Sequence, residues 1–282
     1  MTARDTGPST SDPDASTERN AARPPPALLA GRRGVVLGVS GANSIGYQVA
    51  RTLRELGASV AVTCRPRRLA AVAPLAAELD AAAYPVDVTD EPSLAAAFEA
   101  LGQSGPLDFV VHSVVDIPEG VLARSMLDVS RADFAHVMTV SAWSLIAACR
   151  HSRPLLARST APRVVALTSA CSHRMTPHYH VAGIAKAALE SAVLYLAMQL
   201  GRDGILVNAV SASLLATDGA VRAIGEANAS ATRAVQARRS ATGRAIEPAD
   251  VASCVAYLCS PLARNLTGEI LTVDGGFSRA YL

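Results

Sequence analysis

Aromatic residues are scarce, at 4% of the 282-residue chain, and there is a single tryptophan, Trp143. Proteins that bind single-stranded nucleic acid stack bases on several aromatic side chains, so that class is disfavoured. An excess of one charge is also missing. Formal net charge is +2 with 18% charged residues, too balanced for the basic stripe of a duplex binder. Half of the chain is apolar, yet no unbroken apolar run reaches the roughly 18 residues of a membrane span. Cys64, Cys149, Cys171, Cys254 and Cys259 are odd in number and form no CxxC. That pattern argues against a disulfide framework or zinc site and fits a reducing compartment. The first residues show no charged-then-apolar export pattern. A cytoplasmic protein with no nucleic-acid or membrane partner is expected.

Lysine is the scarcest of the common residues. Of 26 basic residues only Lys186 is a lysine, and the rest are arginine. Together with abundant alanine, this points to a GC-rich coding bias that exchanges lysine for arginine wherever chemistry permits. The one retained lysine marks a position where a guanidinium does not serve.

Residues 1–30 are rich in Thr, Ser, Asp, Pro and Arg and contain Pro24-Pro25-Pro26, so a disordered tail is expected there. From Gly34 onward, short apolar runs alternate with stretches of helical period: Val35–Val39, Val60–Thr63, Ala82–Val86, Leu107–His112, Val164–Ser169, Ile205–Val210 and Ile270–Val273. Apolar runs of this length between helices suit strands buried on both faces of a parallel sheet. The expectation for 31–282 is a single α/β domain: a Rossmann-like, doubly wound parallel sheet of about seven strands, with about six helices covering both faces.

After the first strand comes Gly38-Val39-Ser40-Gly41-Ala42-Asn43-Ser44-Ile45-Gly46, then a helix-like run from Tyr47 to Leu56. Glycines let a backbone approach a pyrophosphate, and a helix N-terminus offers free N–H groups and positive dipole. A dinucleotide site is expected. The second strand ends in Thr63-Cys64-Arg65-Pro66-Arg67-Arg68, without the acid that commonly accepts from the ribose hydroxyls of NADH. Arg65 suits a 2′-phosphate instead, so NADPH is favoured over NADH. Asp87-Val88 follows the third strand, where Asp87 either contacts adenine or caps a helix.

Tyr179 and Lys186 stand seven residues apart, nearly two helical turns, which puts both on one helix face. A tyrosine can donate its phenolic proton to a developing oxyanion, and a nearby ammonium lowers the phenol pKa. His173, His178 and His180 lie around Tyr179, but their spacing and the lack of a carboxylate argue against a metal site.

With these residues the chain resembles the short-chain dehydrogenase/reductase superfamily, and within it the divergent enoyl-acyl-carrier-protein reductases. The resemblance runs from about Gly34 to Ser278. It is carried by Gly38 with Ser44-Ile45-Gly46, by the Tyr179-x6-Lys186 spacing, by His112-Ser113 closing the fourth strand, and by Thr267-Gly268-Glu269 with Val273-Asp274-Gly275-Gly276-Phe277-Ser278. It implies hydride transfer from a nicotinamide dinucleotide to an enoyl thioester on an acyl carrier protein or CoA. Tyr179 would stabilise the enolate oxygen and Lys186 would bind the nicotinamide ribose. Gly38, Ser40, Ser44, Ile45 and Ser113 would line the cofactor, and His112 would touch the adenosine ribose or cap a backbone group. The resemblance also implies a homo-oligomer, a tetramer or dimer, built on the helices before and containing Tyr179.

There are departures. Many enoyl reductases carry a second tyrosine about ten residues before the first; here Ser169-Ala170 stands there, and Ser169 is a candidate to hydrogen-bond a substrate carbonyl. A Pro-Gly-type turn is replaced by Ala212–Thr217, where Thr217 remains a candidate cofactor contact. Val115 occupies a position where glycine is common. Thr217–Arg239 has helical period and small side chains, as expected of a mobile substrate lid within about 213–243. An enoyl-thioester reductase is favoured. A carbonyl reductase of the same superfamily and a non-catalytic cofactor-binding protein are the alternatives.

Overall fold

The computed structural model describes residues 28–215 and 217–280. Seven strands form one sheet: β1 (Arg33–Leu37), β2 (Ser59–Cys64), β3 (Ala83–Pro85), β4 (Phe109–His112), β5 (Arg163–Ser169), β6 (Leu206–Ala212) and β7 (Ile270–Val273). They are the seven apolar runs of the sequence, shifted by no more than two residues at either end. All neighbours pair in parallel, in the order β3-β2-β1-β4-β5-β6-β7.

The strand centres are mostly apolar because both faces of the sheet are covered. Successive side chains alternate between the two faces: Val36, Val111 and Val165 enter one core layer, and Val35, Val110 and Val164 enter the other. Helices follow in chain order as α1 (Ile45–Glu55), α2 (Leu69–Glu78), α3 (Glu91–Gln103), α4 (Arg131–Met138), α5 (Ser144–Leu156), α6 (His180–Leu200), α7 (Asp218–Ile224), α8 (Glu226–Arg239) and α9 (Pro248–Cys259). The first layer is closed by α1, α2 and α9, the second by α3, α5 and α6.

Six crossovers link the strands, as expected, but the described residues hold nine α-helices rather than about six. One crossover rod is interrupted by a wider π turn at Thr139–Trp143, which separates α4 from α5. The last crossover carries α7 and α8 before α9. The α4–α5 rod and the segment His180–Asp203 have the length and apolarity of membrane spans, yet half of each lies buried in the fold. They are sheet-covering helices.

The tail boundary is corrected. Residues 1–27 lie outside the described residues, but Leu29 is fully buried in the first core layer. Its N–H donates to the Leu56 carbonyl at 2.9 Å. Leu29, assigned to the tail from the sequence, is therefore part of the packed core.

β1 and β4 are adjacent although β2 and β3 lie between them in sequence. At this reversal, the crossovers leave to opposite sides and open a crevice at the carboxyl ends of the strands.

Candidate active site

A cavity of about 1870 Å³ fills that crevice. It exceeds the roughly 300–1,000 Å³ of a single small-molecule pocket, so it has room for two ligands side by side. Gly38 closes β1 with φ +93°, and a Cβ there would collide with the Ser113 carbonyl. Only glycine lets the first turn pass this close to the end of β4. Ser44 caps α1: its hydroxyl accepts from the Tyr47 N–H at 3.2 Å and donates to the Gly41 carbonyl at 2.7 Å.

Of the residues assigned to a cofactor from the sequence, Gly38, Ser40, Ile45, Arg65, Asp87, Val88, Ser113 and Thr217 line the cavity together with Ser169, Tyr179 and Lys186. Ser44 and His112 do not. Ser44 shapes the turn instead. His112 is fully buried, with Nε2 2.7 Å from the Ser144 hydroxyl. The Ser144 hydroxyl itself donates to the Val140 carbonyl, so His112 Nε2 carries the donated proton. Burial, reinforced by the Lys186 charge, pushes His112 down to about 3 and keeps it neutral. It pins β4 to the start of α5, and the expectation of a ribose contact is corrected.

Tyr179 stands one residue before α6, with φ −140°, and not within the helix. The reading of two groups on one helical face is therefore replaced by a tyrosine at the mouth of the helix and a lysine almost two turns inside it. Their common direction into the cavity is unchanged. The entry is tight: at Gly183 a Cβ would lie 2.6 Å from the Cys171 carbonyl, so α6 packs directly on the turn that carries Ser169. The Tyr179 ring packs on the small cluster of Val121, Val137 and Val181. Burial, helped by Cys171, raises the phenol above its ordinary value, the reverse of the lowering expected from a nearby ammonium.

Lys186 is buried and its Nζ donates to the Leu167 carbonyl at 2.9 Å. Burial pulls it from 10.5 to about 8, and Glu190, one turn further on, opposes the fall. Glu190 is in turn held by the Thr168 hydroxyl at 2.7 Å. Asp87 accepts from the Thr89 N–H at 2.9 Å and from its hydroxyl at 2.7 Å, which holds its carboxyl below the ordinary value. The cap of α3 is Asp90, accepting from Ser93 N–H, so Asp87 is free of that duty. Thr217 caps α7 through Ala220 N–H at 3.2 Å. The lid stretch forms α7 and α8 and supplies one wall of the cavity.

Two residues were missed by the sequence reading. Asp116 and His136 line the cavity, and Asp116 pairs with Arg65 at 2.7 Å. That removes the ground for favouring NADPH, since the Arg65 guanidinium is engaged by a carboxylate of the chain itself. The three histidines near Tyr179 go separate ways: His173 bonds Ser172, His180 bonds the Arg124 carbonyl, and His178 sits at φ +57°. Among the described residues no cluster of three His, Cys, Asp or Glu side chains suits a metal ion.

The residues fit a nicotinamide dinucleotide. Gly38, Ser40 and Ile45 bring the turn from β1 into α1 along the cavity wall, and the buried Ser213 hydroxyl on the same cavity has no partner among the described residues. Lys186 and Tyr179 stand on the same cavity.

Comparison with known proteins agrees with this geometry. Residues 38–278 match a family described as enoyl-(acyl carrier protein) reductase. The chain is similar to the enoyl-acyl-carrier-protein reductase (NADH) 2 of Rhizobium meliloti, 37% identical over 89% of this chain and 93% of that protein. It is 34% identical to the NADH-named reductase of Bacillus cereus, over 89% of this chain and 98% of that one. Among solved structures, the Anaplasma phagocytophilum reductase in complex with NAD superposes with a TM-score of 0.84, 31% identity and coverage of 92% and 96%. The Bacillus cereus reductase with NADP+ and an indole naphthyridinone gives 0.85, 33%, and 90% and 99%.

Proposed function

This chain belongs to the enoyl-acyl-carrier-protein reductase family of oxidoreductases, and from that premise we propose that it reduces the carbon–carbon double bond of an enoyl thioester with a nicotinamide dinucleotide. The substrate is an acyl chain on an acyl carrier protein, as the names of the relatives suggest. The dinucleotide, NADH by the same names, supplies the hydride when bound.

The chain's own residues handle position and charge. Lys186, fixed by the Leu167 carbonyl, places a cation against the nicotinamide ribose hydroxyls. Tyr179 donates a hydrogen bond to the thioester oxygen as negative charge develops there. A phenol raised by burial stays protonated at neutral pH, the form such a donor needs. Ser169, at the end of β5 on the same cavity, is the second donor to that oxygen in this reading. Thr217, Ser213 and the turn from Gly38 to Ile45 hold the dinucleotide, and α7–α8 close over the acyl chain as a lid.

The reading includes self-association. The outer face of α6 exposes Leu194, Tyr195 and Met198 at 54%, 63% and 64%, an apolar patch that a second copy of the chain would cover.

One observation carries the proposal: Tyr179 and the sole lysine open on one cavity beside the glycine turn. The test is dinucleotide oxidation with a crotonyl thioester and an acetoacetyl thioester assayed in parallel. Reduction of the crotonyl substrate is expected, and Tyr179→Phe is expected to lower turnover on the order of a hundredfold while dinucleotide affinity stays within a few fold. Activity on the acetoacetyl substrate alone would replace this reading with carbonyl reduction. Full turnover in Tyr179→Phe would remove the tyrosine from the chemistry.

A further inference from the structure

Three titratable side chains from three separate elements meet at the end of the cavity above β2 and β4. Arg65 follows β2, and its Nη2 lies 2.7 Å from Asp116 Oδ1 in the loop after β4. The same nitrogen donates to the Val115 carbonyl at 3.3 Å. The other carboxylate oxygen, Oδ2, lies 2.9 Å from His136 Nε2 on α4. Because β1 sits between β2 and β4 in the sheet, the Arg65–Asp116 pair bridges across the end of β1, over the turn that begins at Gly38. All three side chains line the cavity.

At a dinucleotide site, an acid at the end of the second strand accepts from the ribose hydroxyls, whereas an arginine there pairs with a 2′-phosphate. This chain carries the arginine at that position and brings the acid from another strand. We propose that Asp116 is a specificity-determining residue that turns the site toward the dinucleotide lacking a 2′-phosphate, by occupying Arg65 and placing a carboxylate where that phosphate would approach. The proposal rests on the dinucleotide reading above and adds the residue that sets the choice.

The physical argument is competition for one guanidinium. A 2′-phosphate carrying between one and two negative charges must displace Asp116 from Arg65, and the freed carboxylate, left with its hydrogen bond to His136, then faces the phosphate. A ribose hydroxyl, in contrast, donates to a carboxylate without disturbing the pair. His136 fixes the direction of the carboxylate, so the acid is in place before the ligand arrives. Burial opposes ionisation of Asp116, but hydrogen bonds and charge from Arg65 and His136 prevail and hold it below its ordinary value. Asp87, drawn down mainly by its Thr89 hydrogen bonds and also by the charges of Arg65 and His136, is the second acid at this end. Arg67 and Arg68 also line it and are the other cations available to a phosphate.

The test is equilibrium binding of NADH and NADPH, followed by ligand fluorescence, to the parent chain and to Asp116→Asn, Arg65→Ala and the double variant. Asp116→Asn keeps the shape and removes the charge, and the NADPH-to-NADH affinity ratio is expected to rise about tenfold or more, the size of one charge-assisted hydrogen bond gained. The double variant should lose that gain. Arg65→Ala alone should move the ratio less than about threefold, because Arg65 is already occupied; this arm needs no folded Asp116 variant. A ratio unchanged in Asp116→Asn overturns the proposal, as does a gain that survives the loss of Arg65, or a large selective loss of NADPH in Arg65→Ala. A parent chain that binds neither dinucleotide overturns the underlying site reading, which separates the two failures.

Discussion

Lys186 combines a stability cost with the cation that the proposed function assigns to it. Burial holds its ammonium at about 8, against an ordinary 10.5, with Glu190 opposing the fall. Between those two values the unfolded chain binds a proton that the folded chain has released, so this group makes stability rise with pH across the window. In the proposed function its contribution to activity has the opposite sign, since the cation assigned to the ribose is lost as pH rises through about 8. Dinucleotide affinity and turnover are therefore expected to fall with a midpoint near 8 while the fold grows no weaker. Glu190→Gln removes the opposing charge and should move that midpoint to lower pH, read from profiles of kcat/KM and of dinucleotide affinity. An unmoved midpoint would reduce Glu190 to a tether for Thr168. The lysine was legible in the sequence because arginine had replaced every other one. The Arg65–Asp116–His136 cluster was not, because its members come from the ends of different elements and share no spacing or period. For His112 the sequence left ribose contact and backbone cap both open, since standing at the end of a strand does not say whether α5 covers the ring, as it does here through Ser144.

At the scale of elements, the seven strands were readable because two-sided burial leaves each with a short run dominated by apolar residues. The helix count was not, since the π turn at Thr139–Trp143 and the break between α7 and α8 interrupt segments whose side-chain pattern continues through them. The entry to the fold was misread by composition. Proline-rich sequence runs up to Pro26, but Leu29 fills the first core layer and donates its N–H to the Leu56 carbonyl. Leu29→Ala is expected to cost about 2–5 kcal/mol, as for other fully buried leucines. A truncation that removes residues 1–30 should melt below one that removes only 1–27. Equal melting temperatures in thermal denaturation would place Leu29 outside the cooperative core.

At the scale of the molecule, the cavity and an exposed apolar patch share one helix. The apolar patch of Leu194, Tyr195 and Met198 lies on the solvent side of α6, while the opposite side of the same helix carries Lys186 to the cavity. An assembly built on this patch would brace the helix that positions the lysine. Replacing Leu194 and Met198 together by Asp should lower the mass seen by sedimentation or light scattering to that of one chain. Unchanged mass would move the interface elsewhere, and a parent that already sediments as one chain would remove self-association from the reading. The same helix also makes the protein unusual as a reagent target. Its sole ε-amine lines the cavity, and the sequence holds no second lysine for amine-directed chemistry. Near pH 8 about half of that ε-amine is uncharged and nucleophilic. An acylating label therefore becomes a meter of vacancy, marking molecules whose cavity stands open and sparing those that are filled.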